Sequence, residues 1–145
     1  MQNATARILN MLAMVWLLTS TGVTIHAAEP SQPSSPVVIP EAADGVQRGT
    51  VTLDSYSYTP NHLIVEARKP VELTLTSVAT MTPHNFIIKD PEGSLSVEQD
   101  VSAGKTVTII FTPTQPGIFP IYCDKRLWPF PSHRDKGMEG TLEVR

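Results

Sequence analysis

Hydrophobic and polar residues alternate along several short stretches of the chain. The clearest of these are residues 71–76 and 106–111, where the period of two predicts strands with one buried face. The side chains predicted to point into the protein are Val71, Leu73, Leu75, Val107, Ile109 and Phe111. Each stretch therefore predicts a strand that lies against a hydrophobic core.

Shorter apolar runs predict further strands, and turn-forming Gly, Pro, Asn and Asp residues separate them. These runs are residues 51–54, 63–65, 86–88, 94–97, 118–123 and 141–144. A short helical turn is expected at residues 98–104, and we find no convincing amphipathic helix. About seven or eight regularly spaced strands predict an all-β fold, an antiparallel β-sandwich.

The start of the chain has the pattern of a secretory signal peptide. Arg7 precedes an apolar run, Ile8–Leu18, and small residues continue to Ala27 and Ala28, where cleavage is expected. The run is shorter than the roughly 20 residues that span a bilayer, which makes an uncleaved membrane anchor the weaker alternative. Residues 1–28 are therefore predicted to direct export to the periplasm.

Residues 29–45 are rich in Pro and Ser and predict a linker between the signal and the strand pattern. Residues 46–145 have the size of one domain. The 145-residue chain has a net charge of −3, which gives no indication of nucleic-acid binding. No second long apolar run follows, so we expect no stable membrane insertion after signal removal.

The single cysteine, Cys123, has no disulfide partner within the chain. A lone thiol in an oxidising compartment needs another explanation, and metal ligation is one. His84 precedes one predicted strand, while His133 and Met138 lie in the loop after Cys123, and loops at one end of a sandwich can converge. A thiolate, two imidazoles and a thioether form the ligand set that selects copper, so these residues predict a site for one copper ion.

Plainer interpretations exist for each of these residues. Cys123 and Met138 are also suited to core packing, and an isolated His84 is more often a surface or turn residue. Asp135 and Glu139 are possible oxygen ligands at the same site. The remaining, minor candidates are His62, expected at the surface, and Met81.

Four stretches of the chain resemble the cupredoxins, the small blue copper proteins of the plastocyanin and azurin type. They are Tyr58–Val65, which is similar to the family's F-x-P-x-x-I-x-V strand, His84–Phe86, Phe111–Cys123 and His133–Met138. The resemblance covers residues 48–145 and implies a Greek-key β-sandwich with type 1 copper on the four ligands named above. It also implies that Asn85 ties the two ligand loops together and hydrogen-bonds near the cysteine sulfur.

The chain departs from this family in the spacing of two ligands. Residues 124–132 separate Cys123 from His133, a longer spacer than cupredoxins usually have. The spacer carries Trp128 and Phe130, which either form an exposed docking patch for a redox partner or pack the loop onto the sandwich.

The leading functional hypothesis is a periplasmic one-electron carrier that cycles between Cu(II) and Cu(I) and has a redox partner such as a cytochrome or an oxidase. The alternative is a copper-handling protein that serves copper tolerance, carriage or delivery to an oxidase. The linker has no His or Met, which slightly favours electron transfer. A third hypothesis is an enzyme with an open copper position, and the long spacer is the one feature that permits it. We therefore expect no enzymatic activity. Zinc is chemically possible, but this mixed set is poorly suited to a structural zinc ion.

Overall fold

The computed structural model describes residues 35–145, and the predicted signal peptide and residues 29–34 of the predicted linker lie outside the described residues. The strands are β1 (Val37–Val38), β2 (Gln47–Asp54), β3 (Ser57–Thr59), β4 (His62–Val65), β5 (Val71–Ser77), β6 (His84–Lys89), β7 (Ser96–Val101), β8 (Thr106–Phe111), β9 (Gly117–Tyr122) and β10 (Glu139–Val144). A short 3-10 helix, η1 (Arg134–Lys136), precedes β10. Within the described part of the chain, no helix is long and apolar enough to cross a membrane.

The strands form two sheets. One has six strands in the order β1-β4-β10-β9-β6-β7, and the other has four in the order β3-β2-β5-β8. The predicted β-sandwich is confirmed, although β1 and β3 add two short strands that the apolar runs do not reveal. β1 consists of two valines inside the Pro- and Ser-rich segment, where two residues are too few to show a period.

Both sheets are mixed, whereas the strand pattern led us to expect antiparallel pairing. β2 pairs in parallel with β5, and β4 pairs in parallel with both β1 and β10. The chain passes repeatedly from one sheet to the other, and such crossovers bring strands together in the same direction. Alternation along a strand defines its buried face but not the direction of its neighbour, so the sequence pattern could not distinguish the two arrangements.

The core lies between the sheets and contains the side chains that the alternation placed there. Val71, Leu73 and Leu75 are fully buried, Ile109 and Phe111 are nearly so, and Val107 is partly buried against the same cluster. The helical turn expected at residues 98–104 is wrong, because Ser96–Val101 forms β7 and pairs with β6 along its whole length. Pairing with a neighbouring strand overrides the weak local preference of such a polar segment.

Candidate metal centre

Strand pairing brings the predicted ligands to one end of the six-stranded sheet. β6 begins at His84, and β9 ends just before Cys123. These strands are antiparallel neighbours, with Ile87 opposite Tyr122, so the start of β6 lies beside the end of β9. β9 and β10 are also antiparallel neighbours, and the loop between them carries His133.

His84, Cys123 and His133 meet at this end of the sandwich. Their ligand atoms all lie within 4.8 Å of one another, and all three residues are buried. Cys123 Sγ lies 3.3 Å from His133 Nδ1, and the two imidazole rings have centroids 5.1 Å apart. A thiol and two imidazoles this close form a donor set for a single transition-metal ion such as copper or zinc.

His84 is buried without a hydrogen-bond partner among the described residues. Both of its ring nitrogens are buried, and neither has a hydrogen bond there. Burial, followed by repulsion from a charged His133, lowers the pKa of His84 to about 4. An uncharged imidazole with unsatisfied nitrogens is costly to bury, and a metal ion would satisfy one of them. The residues present therefore fit a metal ion at this site.

We expect the metal-free protein to lose stability as the pH falls from about 7.5 to 5. Folding lowers the pKa of His84 from 6.5 to about 4. Between these two pH values the imidazole is protonated in the unfolded chain and neutral in the folded chain. The free energy of unfolding should fall by about 2 kcal/mol over this interval. Urea titrations at each pH would measure it, and His84→Gln should reduce the pH dependence, with a remainder from His133, whose pKa burial also lowers. A flat profile in the unmodified protein would contradict the expectation.

Cys123 is a fully buried thiol at the centre of the cluster. Burial raises the pKa of this thiol, partly offset by the Asn85 N–H, which points at Sγ from 3.4 Å. A free thiolate is thus disfavoured here unless a cation lies beside it. This environment suits a metal ligand better than an exposed nucleophile.

Asn85 joins the two segments that carry His84 and Cys123. Its side-chain Nδ2 donates to Asp124 Oδ1 at 2.8 Å, and its Oδ1 accepts from the Asp124 N–H at 3.1 Å. Asn85 is buried and Asp124 is exposed, so these bonds lie at the edge of the buried cluster. Asn85 thus joins the two segments through Asp124, a partner that the resemblance did not specify, and its role at a metal centre stays a prediction.

Replacing Asn85 by alanine should lower the free energy of unfolding of the metal-free protein by about 1–2 kcal/mol, because two part-buried hydrogen bonds to Asp124 are lost. Chemical denaturation would measure the loss. Ser77→Ala is a matched control, since the buried Ser77 hydroxyl has no hydrogen-bond partner among the described residues and should be nearly neutral to remove. Equal losses in the two variants would show that the Asn85–Asp124 bonds contribute nothing specific.

Met138 lies where the ligand loop joins β10, and its fully buried side chain belongs to the same core cluster as Cys123. Its backbone oxygen accepts a hydrogen bond from the Cys123 N–H at 3.2 Å. The chain returns through Gly137, whose φ of 94° is in the left-handed region that favours glycine. The structure thus places Met138 directly beside Cys123, and its role as a metal ligand stays a prediction.

The long spacer does not displace His133 from the site, because the spacer closes on itself. The His133 N–H donates to the Lys125 backbone oxygen at 2.9 Å. Residues 126–132 therefore form a loop whose two ends are held together. Ser132 then bonds to the Asp135 carboxylate through its N–H and its hydroxyl, which fixes the start of η1. His133 is thereby held at the site despite the spacing.

The minor ligand candidates have other contacts. Asp135 is bonded to Ser132, and Glu139 forms an ion pair with Arg134. His62 lies outside the cluster, and its Nε2 is 3.2 Å from Glu143 Oε2 on the neighbouring strand. Met81 is highly exposed and lines a groove beside His133.

This groove, which we call the His133 groove, has a volume of about 510 Å³. Its lining residues are Tyr56, Met81, Thr82, Pro83, Lys125, Arg126, Leu127, Phe130, Pro131, His133 and Lys136. Phe130 is 57% exposed and the neighbouring Trp128 is 82% exposed, so the spacer does not bury its aromatic rings in the sandwich. His133 is 7% exposed at the groove, whereas His84 and Cys123 are fully buried.

Two tyrosines of the β2–β3 hairpin contact the site, and ligand chemistry alone gave no reason to select them. The Tyr56 ring packs edge-on to His133 with centroids 5.0 Å apart, and Lys136 Nζ donates to the Tyr56 hydroxyl at 3.0 Å. The Tyr58 hydroxyl donates to the backbone oxygen of Asn85 at 2.6 Å. Tyr58 lies on β3, but Tyr56 lies in the turn between β2 and β3 with a φ of 65°, so no strand period in the sequence could have selected the pair.

Comparison with known proteins gives a family match. The model of the cupredoxin-like domain matches residues 10–142. A search of curated proteins finds no significant match.

Solved structures share the fold at low sequence identity. The metal-binding domain of the Cu(I)-exporting P-type ATPase CopA of Streptococcus pneumoniae D39 is 19% identical with a TM-score of 0.57, and the match covers 77% of this chain and 96% of that chain. Dithionite-reduced auracyanin of the photosynthetic bacterium Roseiflexus castenholzii is 17% identical with a TM-score of 0.56, covering 72% and 99%. The copper-containing nitrite reductase of Thermus scotoductus SA-01 is 19% identical with a TM-score of 0.51, covering 76% and 28%.

Proposed function

Because the chain belongs to the cupredoxin-like family, we propose that it binds one copper ion and acts as a one-electron carrier. The observation that carries this proposal is the buried cluster of His84, Cys123 and His133, with their ligand atoms within 4.8 Å of one another. Neighbours in fold include the metal-binding domain of a Cu(I)-exporting ATPase, solved with Cu(I), and a copper-containing nitrite reductase. The copper in both neighbours supports copper, rather than zinc, for the donor set of this chain.

In this proposal, Cys123 binds as a thiolate and His84 and His133 bind as neutral imidazoles. Met138 would supply a weaker thioether donor, because its sulfur-bearing side chain is buried in the cluster that contains Cys123. Copper would supply reversible Cu(II)/Cu(I) chemistry when bound. The protein holds His84 and Cys123 at the ends of paired strands and His133 in a loop anchored to Lys125, which limits their rearrangement between the two oxidation states.

We propose that electrons pass through His133, the ligand that reaches the surface at the His133 groove. Trp128 and Phe130 then form the apolar part of a partner docking surface, and Arg126 and Lys136 give it positive charge, while Lys125 is paired with Asp100. A partner with an acidic surface, such as a cytochrome or an oxidase, fits this pattern. Apolar contact brings the redox centres together, while charge raises the rate of encounter.

Changing Trp128 and Phe130 together to alanine should slow electron exchange with an acidic c-type cytochrome by about tenfold. The stability of the sandwich should change by less than about 1 kcal/mol, because both rings are largely exposed. Stopped-flow kinetics and chemical denaturation measure the two effects. Ile110→Ala removes another exposed apolar side chain, from β8, and should alter neither quantity. Lost stability with an intact exchange rate would instead assign these rings to packing.

The alternative function is copper handling, and the likeness to the metal-binding domain of a Cu(I) exporter favours it. A thiolate-containing site also suits Cu(I) that is destined for transfer. The exposed Met81 at the His133 groove gives this alternative an additional soft donor near the site. The two functions differ in metal exchange, because a shuttle keeps its ion and a carrier releases it.

The test is to load the protein with Cu(II), record visible and electron paramagnetic resonance spectra, and cycle the sample with dithionite and ferricyanide. An electron carrier should show an intense thiolate-to-copper band that disappears on reduction and returns on oxidation. The Cu(I) form should then keep its ion for hours beside a competing Cu(I) chelator. Rapid release to the chelator would favour copper handling, and copper that cannot be cycled would contradict electron transfer.

We also propose that the protein acts in the periplasm after residues 1–28 are removed, as one domain of residues 46–145 preceded by residues 29–45. β1 and the buried Ile39 lie in those preceding residues and pack with the domain, so the linker proper is the part before β1. The sequence of Arg7 and Ile8–Leu18 supports export, and the unpaired Cys123 is compatible with an oxidising compartment when a metal occupies it. We propose no substrate chemistry for the site, since a carrier needs none.

A further inference from the structure

The phenol of Tyr58 crosses from one sheet of the sandwich to the other close to Cys123. Tyr58 lies on β3 of the four-stranded sheet, and Asn85 lies on β6 of the six-stranded sheet. The Tyr58 hydroxyl donates to the Asn85 backbone oxygen at 2.6 Å, and Tyr58 is only 3% exposed. A buried hydrogen bond of this length ties the two sheets together at the ligand end.

Asn85 is also the residue whose backbone N–H points at the Cys123 sulfur. That N–H lies 3.4 Å from Sγ, while the Asn85 side chain bonds to Asp124. The backbone oxygen and the backbone N–H of one residue are separated by just its two flexible torsions, so fixing one restricts the other. Tyr58 therefore acts on the residue that provides the hydrogen bond to sulfur.

The surroundings hold the Tyr58 ring in one position. The ring packs edge-on to Phe86, the residue after Asn85, with centroids 5.6 Å apart and planes at 81°. A rigid ring with a protonated hydroxyl is suited to hold a backbone oxygen in place.

We infer that Tyr58 is a positioning residue that holds the Asn85 N–H on the Cys123 sulfur and thereby sets the redox balance of the metal centre. This inference rests on the proposed function for its effect on copper. A hydrogen bond to the ligating sulfur withdraws electron density and favours the reduced ion. Loosening it should shift the balance towards the oxidised ion.

The first test uses the metal-free protein and compares Tyr58→Phe with the unmodified chain. The phenylalanine keeps the ring and its contact with Phe86 but removes the hydroxyl. Amide hydrogen exchange followed by NMR should show the Asn85 N–H exchanging about tenfold faster in the variant, beyond any change common to the core strands.

The matched control is Gln47→Leu, which removes another buried side-chain bond to the backbone. Gln47 Nε2 donates to the Glu66 backbone oxygen at 3.1 Å, and Gln47 Oε1 accepts from the Glu66 N–H at 2.7 Å. Gln47 is the first residue of β2, the strand that pairs with the β3 strand carrying Tyr58. This variant should lower global stability without selecting the Asn85 N–H. It separates positioning from a general loss of stability.

The second test uses the copper-loaded protein in a redox buffer of fixed potential. Tyr58→Phe should raise the ratio of Cu(II) to Cu(I) protein about fivefold, and Gln47→Leu should leave it unchanged. Unchanged Asn85 exchange or an unchanged ratio in Tyr58→Phe, with a thiolate band present in the unmodified protein, would overturn this inference alone. A missing thiolate band in the unmodified protein would overturn the proposed function and, with it, the effect of Tyr58 on copper.

Discussion

Replacing Cys123 by serine should abolish the intense thiolate-to-copper absorption of the Cu(II)-loaded protein. Serine offers a hard hydroxyl that remains protonated at neutral pH, so it cannot replace the soft thiolate. Affinity for Cu(I) should fall by more than the roughly 10–100-fold that residues outside the ligand set usually contribute. Visible spectra and competition with a Cu(I) chelator measure the two effects.

His62→Gln provides the control for copper bound elsewhere. His62 is a histidine outside the cluster, contacts Glu143 and should be replaceable without loss of the band. A serine variant that keeps the band would show that the thiolate is not on the metal, and the assignment of a type 1 copper site would fall with it.

Two substitutions at Met138 should separate packing from ligation. Met138→Ala should lower the free energy of unfolding of the metal-free protein by about 2–5 kcal/mol, because it leaves a cavity at a fully buried position. Met138→Leu keeps a similar volume and should cost less than about 1.5 kcal/mol. The leucine variant therefore retains the fold while it removes the sulfur.

The copper-loaded Met138→Leu variant then tests whether the Met138 sulfur binds the metal. Loss of a weak sulfur donor destabilises the oxidised ion more than the reduced one, so the ratio of Cu(I) to Cu(II) protein at fixed potential should rise about tenfold. The shape of the visible band should change as well. If the leucine variant matches the unmodified protein in both respects, Met138 serves packing alone.

The alternation of side chains was sufficient to predict the sandwich and most of its core. It failed at residues 98–104, where Glu98, Gln99 and Asp100 have no apolar period of their own and become a strand by pairing with β6. It also missed β1, whose two valines join the sheet through their parallel partner β4. Both errors have one cause, since the partner that decides the structure is distant in sequence.

The candidate metal centre likewise contains residues that the sequence can identify and residues that only the packing of the sheets reveals. His84, Cys123 and His133 could be selected from their chemistry, because few residue types bind copper and this chain has few of them. Tyr58 could not be selected, because its contact with Asn85 depends on how the two sheets pack. The exposed state of Trp128 was left open by the sequence for a related reason: burial of a loop side chain depends on surfaces outside the loop.

The single closure between Lys125 and His133 has a consequence for how such a protein can diversify. Residues added or exchanged between these two points change the loop of residues 126–132, which we call the flap, while the hydrogen bond that joins its two ends stays in place. Lengthening a loop costs little free energy, since the entropy of closure grows slowly with length. Recognition of new partners and tuning of the metal can thus be selected separately, the first in the flap and the second among the buried residues beneath it.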